Sequence, residues 1–273
     1  MFQEHNNNLN NPDSYFDRIE NGGIFGTPKP KIEIPKNIQG NLNKNRPVFA
    51  INTYDPLVFD LNGDGKINLI NSQTYFDYEG DGIKEAGYWL DKEDGFLVYD
   101  HNKNGNIDNG SELFGNFTLN SNNEFANNGY EALAQLDSDK NGIIDENDSE
   151  FANLKVWIDE NSDGISQENE LKTLSELEIQ SLNLNATEVN QNLGNGNTLV
   201  LQGNYTKFDG TTAMSGDIDF SVNTIHREFK DELNLTAEQL ARANVKGSGY
   251  LRDLKEACAL SENLANLIDN YSI

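Results

Sequence analysis

The sequence predicts an α+β fold in which short strands and hairpins alternate with acidic, glycine-containing loops, and a small helical tail follows. Apolar runs of two to four residues, among them LVF at 57–59 and FLVY at 96–99, lie between those loops. Their length and aromatic content are typical of strands. Residues 154–158 have an apolar residue at every second position, which also predicts a strand. Residues 180–222 contain glycine and asparagine turns of the kind that join hairpins.

Helices are predicted where apolar residues recur three or four positions apart. Residues 124–136 and 168–177 each carry such a stripe, and so does the tail, 223–273. Thr236 and Gln239 have the spacing of a capping box, which predicts that a tail helix begins there.

Charge divides the chain into three parts. The net charge is −25, yet residues 1–47 hold five acidic and six basic side chains and residues 223–273 hold eight and six, which leaves −24 for residues 48–222. Ten asparagines and five of the six prolines lie in 1–47, which predicts a flexible linker there. We therefore expect a linker at 1–47, an acidic module at 48–222 and a tail segment at 223–273. The acidity of the module opposes binding to nucleic acid and to anionic membranes.

Five acidic stretches in the module share one pattern. They begin at Asp60, Asp77, Asp100, Asp137 and Asp159, and each has oxygen-bearing side chains at positions 1, 3 and 5 and glycine at position 6. Ca²⁺ takes six to eight oxygen ligands at about 2.3–2.6 Å, and a loop that turns sharply at position 6 surrounds one point with alternate side chains. An Asx/Gly-rich β-turn is the alternative for any single loop. Together the five predict several bound Ca²⁺ ions in EF-hand-like loops.

The predicted calcium ligands are side-chain oxygens, except at Lys66 and Ile165, which offer backbone carbonyls at position 7. They are Asp60, Asn62, Asp64, Lys66 and Asn68 in the first loop; Asp77, Glu79, Asp81 and Glu85 in the second; Asp100, Asn102, Asn104, Asp108 and Glu112 in the third; Asp137, Asp139, Asn141, Asp145 and Asp148 in the fourth; and Asp159, Asn161, Asp163, Ile165 and Glu170 in the fifth.

Position 12 of an EF-hand loop is normally a bidentate glutamate. Glu170 meets this requirement in the fifth loop and the shorter Asp148 meets it in part in the fourth. The third loop reaches Glu112 only if it is stretched by one residue, and the first loop has Asn71 at this place. These departures predict modest affinities, on the order of 10⁻⁵–10⁻³ M, the range of extracellular modules.

Cysteine content and hydropathy bear on location. Cys258 is the single cysteine, so the chain forms no internal disulfide. The N-terminal residues lack the basic and apolar regions of a signal peptide, and no run of about 18 apolar residues exists to span a membrane. We expect an extracellular or cell-surface protein that is exported without a cleaved N-terminal signal or as part of a longer parent chain.

Several long stretches resemble one family. DPLVFDLNGDG at 55–65, GYWLDKEDGFLVYDHNKNGNIDNGSELFG at 87–115 and LKVWIDENSDGISQENEL at 154–171 resemble the self-processing module of iron-regulated RTX (repeat-in-toxin) proteins. VKGSGYLRDLKEA at 245–257 is similar to a segment that often follows this module. The resemblance implies that Ca²⁺ triggers autocatalytic cleavage of the Asp55–Pro56 peptide bond. It also implies that the new Asp55 C-terminus can be joined to a lysine of an acceptor protein through an isopeptide bond.

The chemistry of the two residues is consistent with this activity. The Asp55 carboxylate can attack its own main-chain carbonyl carbon and close a five-membered cyclic anhydride, an attack within one residue that has a high effective molarity. The Pro56 nitrogen belongs to a tertiary amide, and twisting that amide makes the nitrogen more basic and a better leaving group. Water then opens the anhydride, or a lysine amine does so and is cross-linked. We therefore expect single-turnover self-processing rather than the activity of a turnover enzyme.

Alternatives remain at this stage. Asp55 and Pro56 are also compatible with a simple turn, in which case the module is a calcium-rigidified spacer of an extracellular adhesin. A secreted hydrolase without a recognisable site is a third possibility. Tyr54 is either a proton donor or a packed aromatic residue. Lys29, Lys31, Lys36 and Lys44 are candidate acceptors by location only.

Overall fold

A computed structural model describes residues 53–271, so the predicted linker and the four candidate lysines lie outside the described residues. The described chain is mostly antiparallel sheet with a few short helices, and the predicted α+β class is wrong. The strands are β1 Thr53–Tyr54, β2 Leu57–Asp60, β3 Leu69–Phe76, β4 Ile83–Leu90, β5 Asp94–Val98, β6 Ile143–Ile144, β7 Lys155–Trp157, β8 Leu171–Thr173, β9 Ile179–Asn183, β10 Thr187–Gly194, β11 Asn197–Lys207 and β12 Thr212–Phe229.

The sheet has the order β6-β9-β11-β12-β2-β5-β7-β8, and every pair is antiparallel. Beyond this path, β1 and β4 also pair with β12, β3 pairs with β4, and β10 pairs with β11. Strand β12 is the longest, and its length lets it pair with β11, β2, β1 and β4 in turn.

The helices are short: α1 Gly129–Ala134, α2 Ala237–Ala241, α3 Leu254–Leu260 and α4 Glu262–Tyr271. The helix predicted at 124–136 is reduced to α1, and the helix predicted at 168–177 is a 3-10 turn, Glu168–Glu170, followed by β8. The capping box is confirmed, because the Gln239 N–H donates to Thr236 Oγ1 at 3.2 Å and the Thr236 N–H donates to Gln239 Oε1 at 2.9 Å. The tail is helical only beyond β12, which crosses the predicted boundary at 222.

The acidic loops join strands, 3-10 turns or α1 to strands, and none of the five lies between two helices. The expected EF-hand-like context is therefore wrong, although the turns themselves are regular. None of the described helices is both long enough and apolar enough to cross a membrane.

Both faces of β2 are buried. Val58 packs in one cluster with Phe96 and Trp157, whereas Leu57 and Phe59 pack in a second cluster. The second cluster also contains Leu97, Tyr130, Ile179 and Tyr205. Alternate residues of a strand point to opposite faces, so β2 is held on both sides. The chain segment that immediately follows Asp55 and Pro56 is thus fixed in the interior.

Candidate functional site

The five acidic loops adopt one backbone conformation. The glycine at position 6 has a positive φ of 69–87° in every loop, a region that favours glycine. Its N–H donates to the carboxylate at position 1 over 2.8–3.1 Å. Position 4 also has positive φ in all five, whatever its side chain: Gly63, Gly80, Lys103, Lys140 and Ser162. The sequence pattern therefore specifies a repeated local structure.

Side-chain oxygens at position 5 contribute to the same turns. In each loop this oxygen accepts the N–H of position 7 at 2.7–2.9 Å. The oxygen at position 3 accepts the N–H of position 5 in four loops. Glu79 is the exception, because its two carboxylate oxygens accept the hydroxyls of Tyr54 and Tyr250, each at 3.0 Å.

The fourth loop gathers three carboxylates closely enough to share one cation. One oxygen from each of Asp137, Asp139 and Asp148 lies within 4.8 Å of the other two. Oxygens that bind one Ca²⁺ at about 2.3–2.6 Å can be at most about 5 Å apart. The donor set, hard oxygens at positions 1, 3 and 12, fits that ion.

Each loop is closed by a buried carboxylate that lies outside its first six positions. These carboxylates belong to Asp94, Glu85, Glu112, Asp148 and Glu170, in loop order. Three of them have a buried oxygen without any hydrogen-bond partner: Asp94 Oδ1, Glu85 Oε2 and Glu112 Oε1. A buried polar atom without a partner costs about 1–3 kcal/mol, and more when charged, so these oxygens fit a cation.

Burial also makes these carboxyl groups hard to ionise. Burial, followed by the nearby Glu79, raises the pKa of Glu85 to about 9. Burial, together with the charges of Asp60, Asp64 and Asp91, raises the pKa of Asp94 to about 7. A neighbouring cation would oppose both effects by favouring the charged form.

Asp94 is not among the ligands that the sequence pattern predicts. Strands β2 and β5 pair Asp60 with Asp94, and Asp94 Oδ2 accepts the N–H of Asn68 at 2.7 Å. Asp94 thus lies against the first loop as its closing carboxylate, the part that position 12, here Asn71, normally has in an EF-hand loop. The residue lies outside the loop in sequence, so counting positions along the chain could not find it.

Glu112 and Glu170 lie against the third and fifth loops, respectively. Glu112 Oε2 accepts the Asp108 N–H at 2.7 Å, so Glu112, one residue beyond position 12, closes the third loop. Asp108 Oδ2 accepts the side-chain amides of Asn102 and Asn104. In the fifth loop Glu170 Oε1 accepts the Glu160 N–H at 3.1 Å.

Within the fifth loop, and likewise within the fourth, predicted ligands are linked by hydrogen bonds. Asp163 accepts hydrogen bonds from the amides of Asn161 and Gln167, and Ile165 is exposed. Asp145 donates its N–H to Asp148 Oδ2 at 3.0 Å, and the Asn141 amide donates to Asp139 at 3.0 Å.

Asp55 and Pro56 lie between β1 and β2, opposite β12. On one side Tyr54 pairs with Phe220, and on the other Leu57 pairs with Asp217. The register is unchanged across this gap, which places Asp55 opposite Asp219 and Pro56 opposite Ile218. The Ile218 N–H, 3.4 Å from the Pro56 carbonyl oxygen, agrees with this register. The peptide bond between Asp55 and Pro56 is thus held against β12 on both flanks.

Residues 114–116 cover the same bond. Asp55 is 6 % exposed, and its Oδ1 accepts the Asn116 N–H at 2.5 Å. The Asn116 amide donates to the Thr53 carbonyl at 3.1 Å. A Cβ at Gly115 would lie 2.8 Å from the Asp55 carbonyl oxygen, so only glycine allows this approach. The Asp55 carboxylate is therefore fixed beside its own carbonyl group.

Tyr54 is a packed aromatic residue. It is 2 % exposed, stacks on Tyr78 with 4.4 Å between ring centroids, and donates its hydroxyl to Glu79 in the second loop. Burial raises the pKa of this hydroxyl, so it retains its proton. The hydroxyl is committed to Glu79, which connects the residue before Asp55 to an acidic loop.

Comparison with known proteins agrees with the resemblance seen in the sequence. The SPM domain family matches residues 57–221. The iron-regulated protein FrpA of Neisseria meningitidis serogroup C is 53 % identical over 223 residues, which cover 80 % of this chain and 20 % of that protein. The chain thus spans about a fifth of this relative's length. Both matches confirm the predicted link to iron-regulated RTX proteins, and the chain belongs to the SPM-domain family.

Proposed function

We propose that the module cleaves its own Asp55–Pro56 peptide bond through an aspartyl anhydride when Ca²⁺ binds, and that the new Asp55 C-terminus can be transferred to a lysine. The observation that carries this proposal is the immobilised bond. Its two flanking strands pair with β12, and residues 115 and 116 pack against the Asp55 carbonyl and carboxylate. A nucleophile fixed beside its electrophile lowers the entropic cost of ring closure.

Several Ca²⁺ ions would be held by the five loops and their closing carboxylates, where they would neutralise charges that otherwise repel one another. The first and second loops are each linked to the segment that contains the Asp55–Pro56 bond. Asp60, position 1 of the first loop, is the last residue of β2, and the Tyr54 hydroxyl contacts Glu79 of the second loop. We infer that order in these two loops restricts the segment from Tyr54 to Asp60, and with it the amide that must twist.

The steps of the cleavage involve Asp55, Pro56 and a nucleophile. Asp55 Oδ attacks the Asp55 carbonyl carbon, the bond from that carbon to the Pro56 nitrogen breaks, and the nitrogen takes up a proton. Burial of Asp55 limits access of water to the anhydride, which favours a lysine amine if one is presented. The product is then an amide between Asp55 and the lysine, and otherwise an Asp55 C-terminal acid.

The cellular setting follows from the same proposal. A link to iron-regulated RTX proteins and the modest expected affinities suit a secreted or surface-exposed protein that meets millimolar Ca²⁺ outside the cell. We propose that the acidic module is loosely folded in a calcium-poor cytosol and folds after export. Circular dichroism with and without Ca²⁺ tests this, and unchanged spectra would reject it.

Cleavage is tested on a denaturing gel. The purified chain is kept in chelator, given millimolar Ca²⁺, and compared with Asp55→Ala and with Asp209→Ala, a control in the turn between β11 and β12. We expect fragments 1–55 and 56–273 from the parent and the control, and an intact Asp55→Ala chain. A higher-mass band that depends on Asp55 indicates lysine linkage, and an intact parent that nevertheless folds with Ca²⁺ would contradict cleavage.

That last outcome is the signature of the second candidate, a calcium-rigidified spacer. It is favoured by Asp94, a buried carboxylate of β5 that ties the first loop to a strand distant in sequence whether or not the chain is cut. The same gel therefore distinguishes the two functions.

A further inference from the structure

Asp217 is a buried carboxyl group that lies beside the Asp55–Pro56 bond without belonging to any acidic loop. It is on β12, is 1 % exposed and pairs with Leu57. The register that places Asp55 opposite Asp219 makes Asp55 and Asp217 diagonal neighbours on one face of the strand pair. Diagonal neighbours of an antiparallel pair are about 7–8 Å apart at the backbone, and the negative charge of Asp55 acts on Asp217 across this separation.

Gly129 lies between the Asp217 carboxyl group and the first residue of β2. Asp217 Oδ2 accepts the Gly129 N–H at 2.5 Å. A Cβ at Gly129 would lie 3.0 Å from that oxygen, 2.9 Å from Leu57 Cβ and 2.7 Å from the Phe114 carbonyl oxygen. The same Phe114 oxygen accepts the Leu57 N–H at 2.8 Å. Gly129 is therefore in close contact with Asp217, with residue 114 and with the start of β2.

The other oxygen of this carboxyl group is available. Asp217 Oδ1 is buried and has no hydrogen-bond partner, and none of the ion pairs within residues 53–271 involves Asp217. A carboxylate in this position would be an unpaired buried charge, whereas a carboxylic acid would carry a proton ready for donation.

Burial and the charges around Asp217 favour the protonated form of its carboxyl group. Burial, and then the negative charges of Asp55 and Asp219, raise the pKa of Asp217 well above its ordinary value, against the opposing effect of the Gly129 N–H. Tyr130 is also close enough to interact with Asp217, and its hydroxyl is hydrogen-bonded to Ser215 at 2.8 Å. Two adjacent carboxyl groups in different environments take different protonation states, as in acid–base pairs of enzymes.

We propose that Asp217 donates the proton that the Pro56 nitrogen needs in order to leave. This inference rests on the proposed cleavage. In the step, Asp55 Oδ bonds to its own carbonyl carbon, the carbon–nitrogen bond breaks, and the Asp217 proton moves to the nitrogen, which leaves Asp217 as a carboxylate. When water opens the anhydride, Asp217 takes a proton from it and is restored, and the second new carboxyl group loses its proton to solvent.

Other nearby groups are less suited to this role. The Tyr54 hydroxyl is hydrogen-bonded to Glu79, and the Asn116 N–H is hydrogen-bonded to Asp55. Asp219 is only half-buried, so water can solvate its charge. Because Asp219 lies on the same strand and face, Asp219→Asn is the matched control for Asp217→Asn.

The test measures the rate of calcium-triggered cleavage against pH in the full chain. Asp217→Asn keeps an oxygen that can accept the Gly129 N–H. We expect it to fold with Ca²⁺ like the parent and to cleave at least about 100-fold more slowly, as is typical when a general acid is removed. The parent rate should fall at alkaline pH as the acid is lost, and this fall should be missing from the residual rate of Asp217→Asn. Asp219→Asn should keep a near-parental rate and an alkaline fall, which moves to lower pH because one negative charge beside Asp217 is removed.

A parental rate and pH profile in Asp217→Asn would overturn the assignment, and so would a loss confined to Asp219→Asn. If Asp217→Asn fails to fold, the parent alone decides, because a rate that does not fall at alkaline pH excludes a carboxylic acid as donor. Asp217→Glu, which retains a carboxylic acid, should cleave more slowly than the parent, and its cleavage rate should still fall at alkaline pH. A parent that does not cleave at all refutes the proposed function instead, so the two failures are distinguishable.

Discussion

Replacing Asp94 by asparagine should have opposite effects with and without calcium. Asp94 is 1 % exposed, has one oxygen without a partner, and pairs with Asp60 across β2 and β5. Its pKa of about 7 lies roughly three units above the ordinary value of 3.8. At 1.36 kcal/mol per unit, holding this carboxylate ionised in the metal-free fold costs about 4 kcal/mol.

An amide avoids that cost but needs its own partners. In Asp94→Asn the amide oxygen can still accept the Asn68 N–H, while the new NH₂ group faces the carboxylates of Asp60 and Asp64. Allowing for relaxation around the charged group, we expect Asp94→Asn to stabilise the metal-free protein by about 1–2 kcal/mol at pH 8. The first loop loses a charged ligand, so its Ca²⁺ affinity should fall about 10-fold or more.

The assay is urea unfolding at pH 8 in chelator, followed by a Ca²⁺ titration monitored by near-ultraviolet circular dichroism. Asp91→Asn, the same change at a half-buried position in the neighbouring turn, is the control and should change both quantities much less, because Asp91 contributes the smallest of the charge effects on Asp94. An Asp94→Asn protein that is less stable in chelator, or that has an unchanged calcium midpoint, would refute the assignment of Asp94 to the first loop.

Two further outcomes are expected. The pKa values of Glu85 and Asp94, about 9 and about 7, exceed their ordinary values, so their contribution to stability is present below about pH 4 and is lost as the pH rises through the folded values. Metal-free stability should therefore fall more between about pH 5 and pH 9 in the parent than in a Glu85→Gln/Asp94→Asn variant, and equal slopes would contradict this. Gly115→Ala should cost about 1–3 kcal/mol and slow cleavage, because its Cβ would lie 2.8 Å from the Asp55 carbonyl oxygen. Gly87→Ala, which meets the Val222 side chain at 3.3 Å, is the milder control, and equal effects of the two would refute a specific role for Gly115.

The local parts of this structure could be predicted from sequence because their hydrogen bonds are local. In each acidic loop the position 1 carboxylate and the position 6 N–H are five residues apart, so the spacing alone specifies the bond. Asp94 and Asp217 could not be found in this way. Asp94 joins its loop through the pairing of β2 with β5, and Asp217 lies near the Asp55–Pro56 bond through the pairing of β12 with β2.

The error at 168–177 has a similar origin. Leu171, Leu174 and Leu177 have helical spacing, yet Leu171 pairs with Trp157 in the sheet and packs in one core cluster, while Leu174 packs in the other. A partner strand thus decides the conformation, and tertiary packing overrides a weak local preference. The strand extension of β12 to Phe229 likewise depends on β4, which no local pattern indicates.

The same long-range pairing explains why loops that do not contact the scissile bond can control it in the proposed mechanism. An amide twists only if the chain is held on both of its sides, because a single anchor leaves the other side free to relax. Tyr54 is held on one side by Glu79 of the second loop. On the other side Asp60 begins the first loop, and its carbonyl oxygen accepts the Tyr205 hydroxyl at 2.7 Å. Between them, β12 pairs with both flanks in one register. Two loops acting on opposite ends of one short, paired segment are therefore a sufficient physical connection between cation binding and the geometry of a single peptide bond.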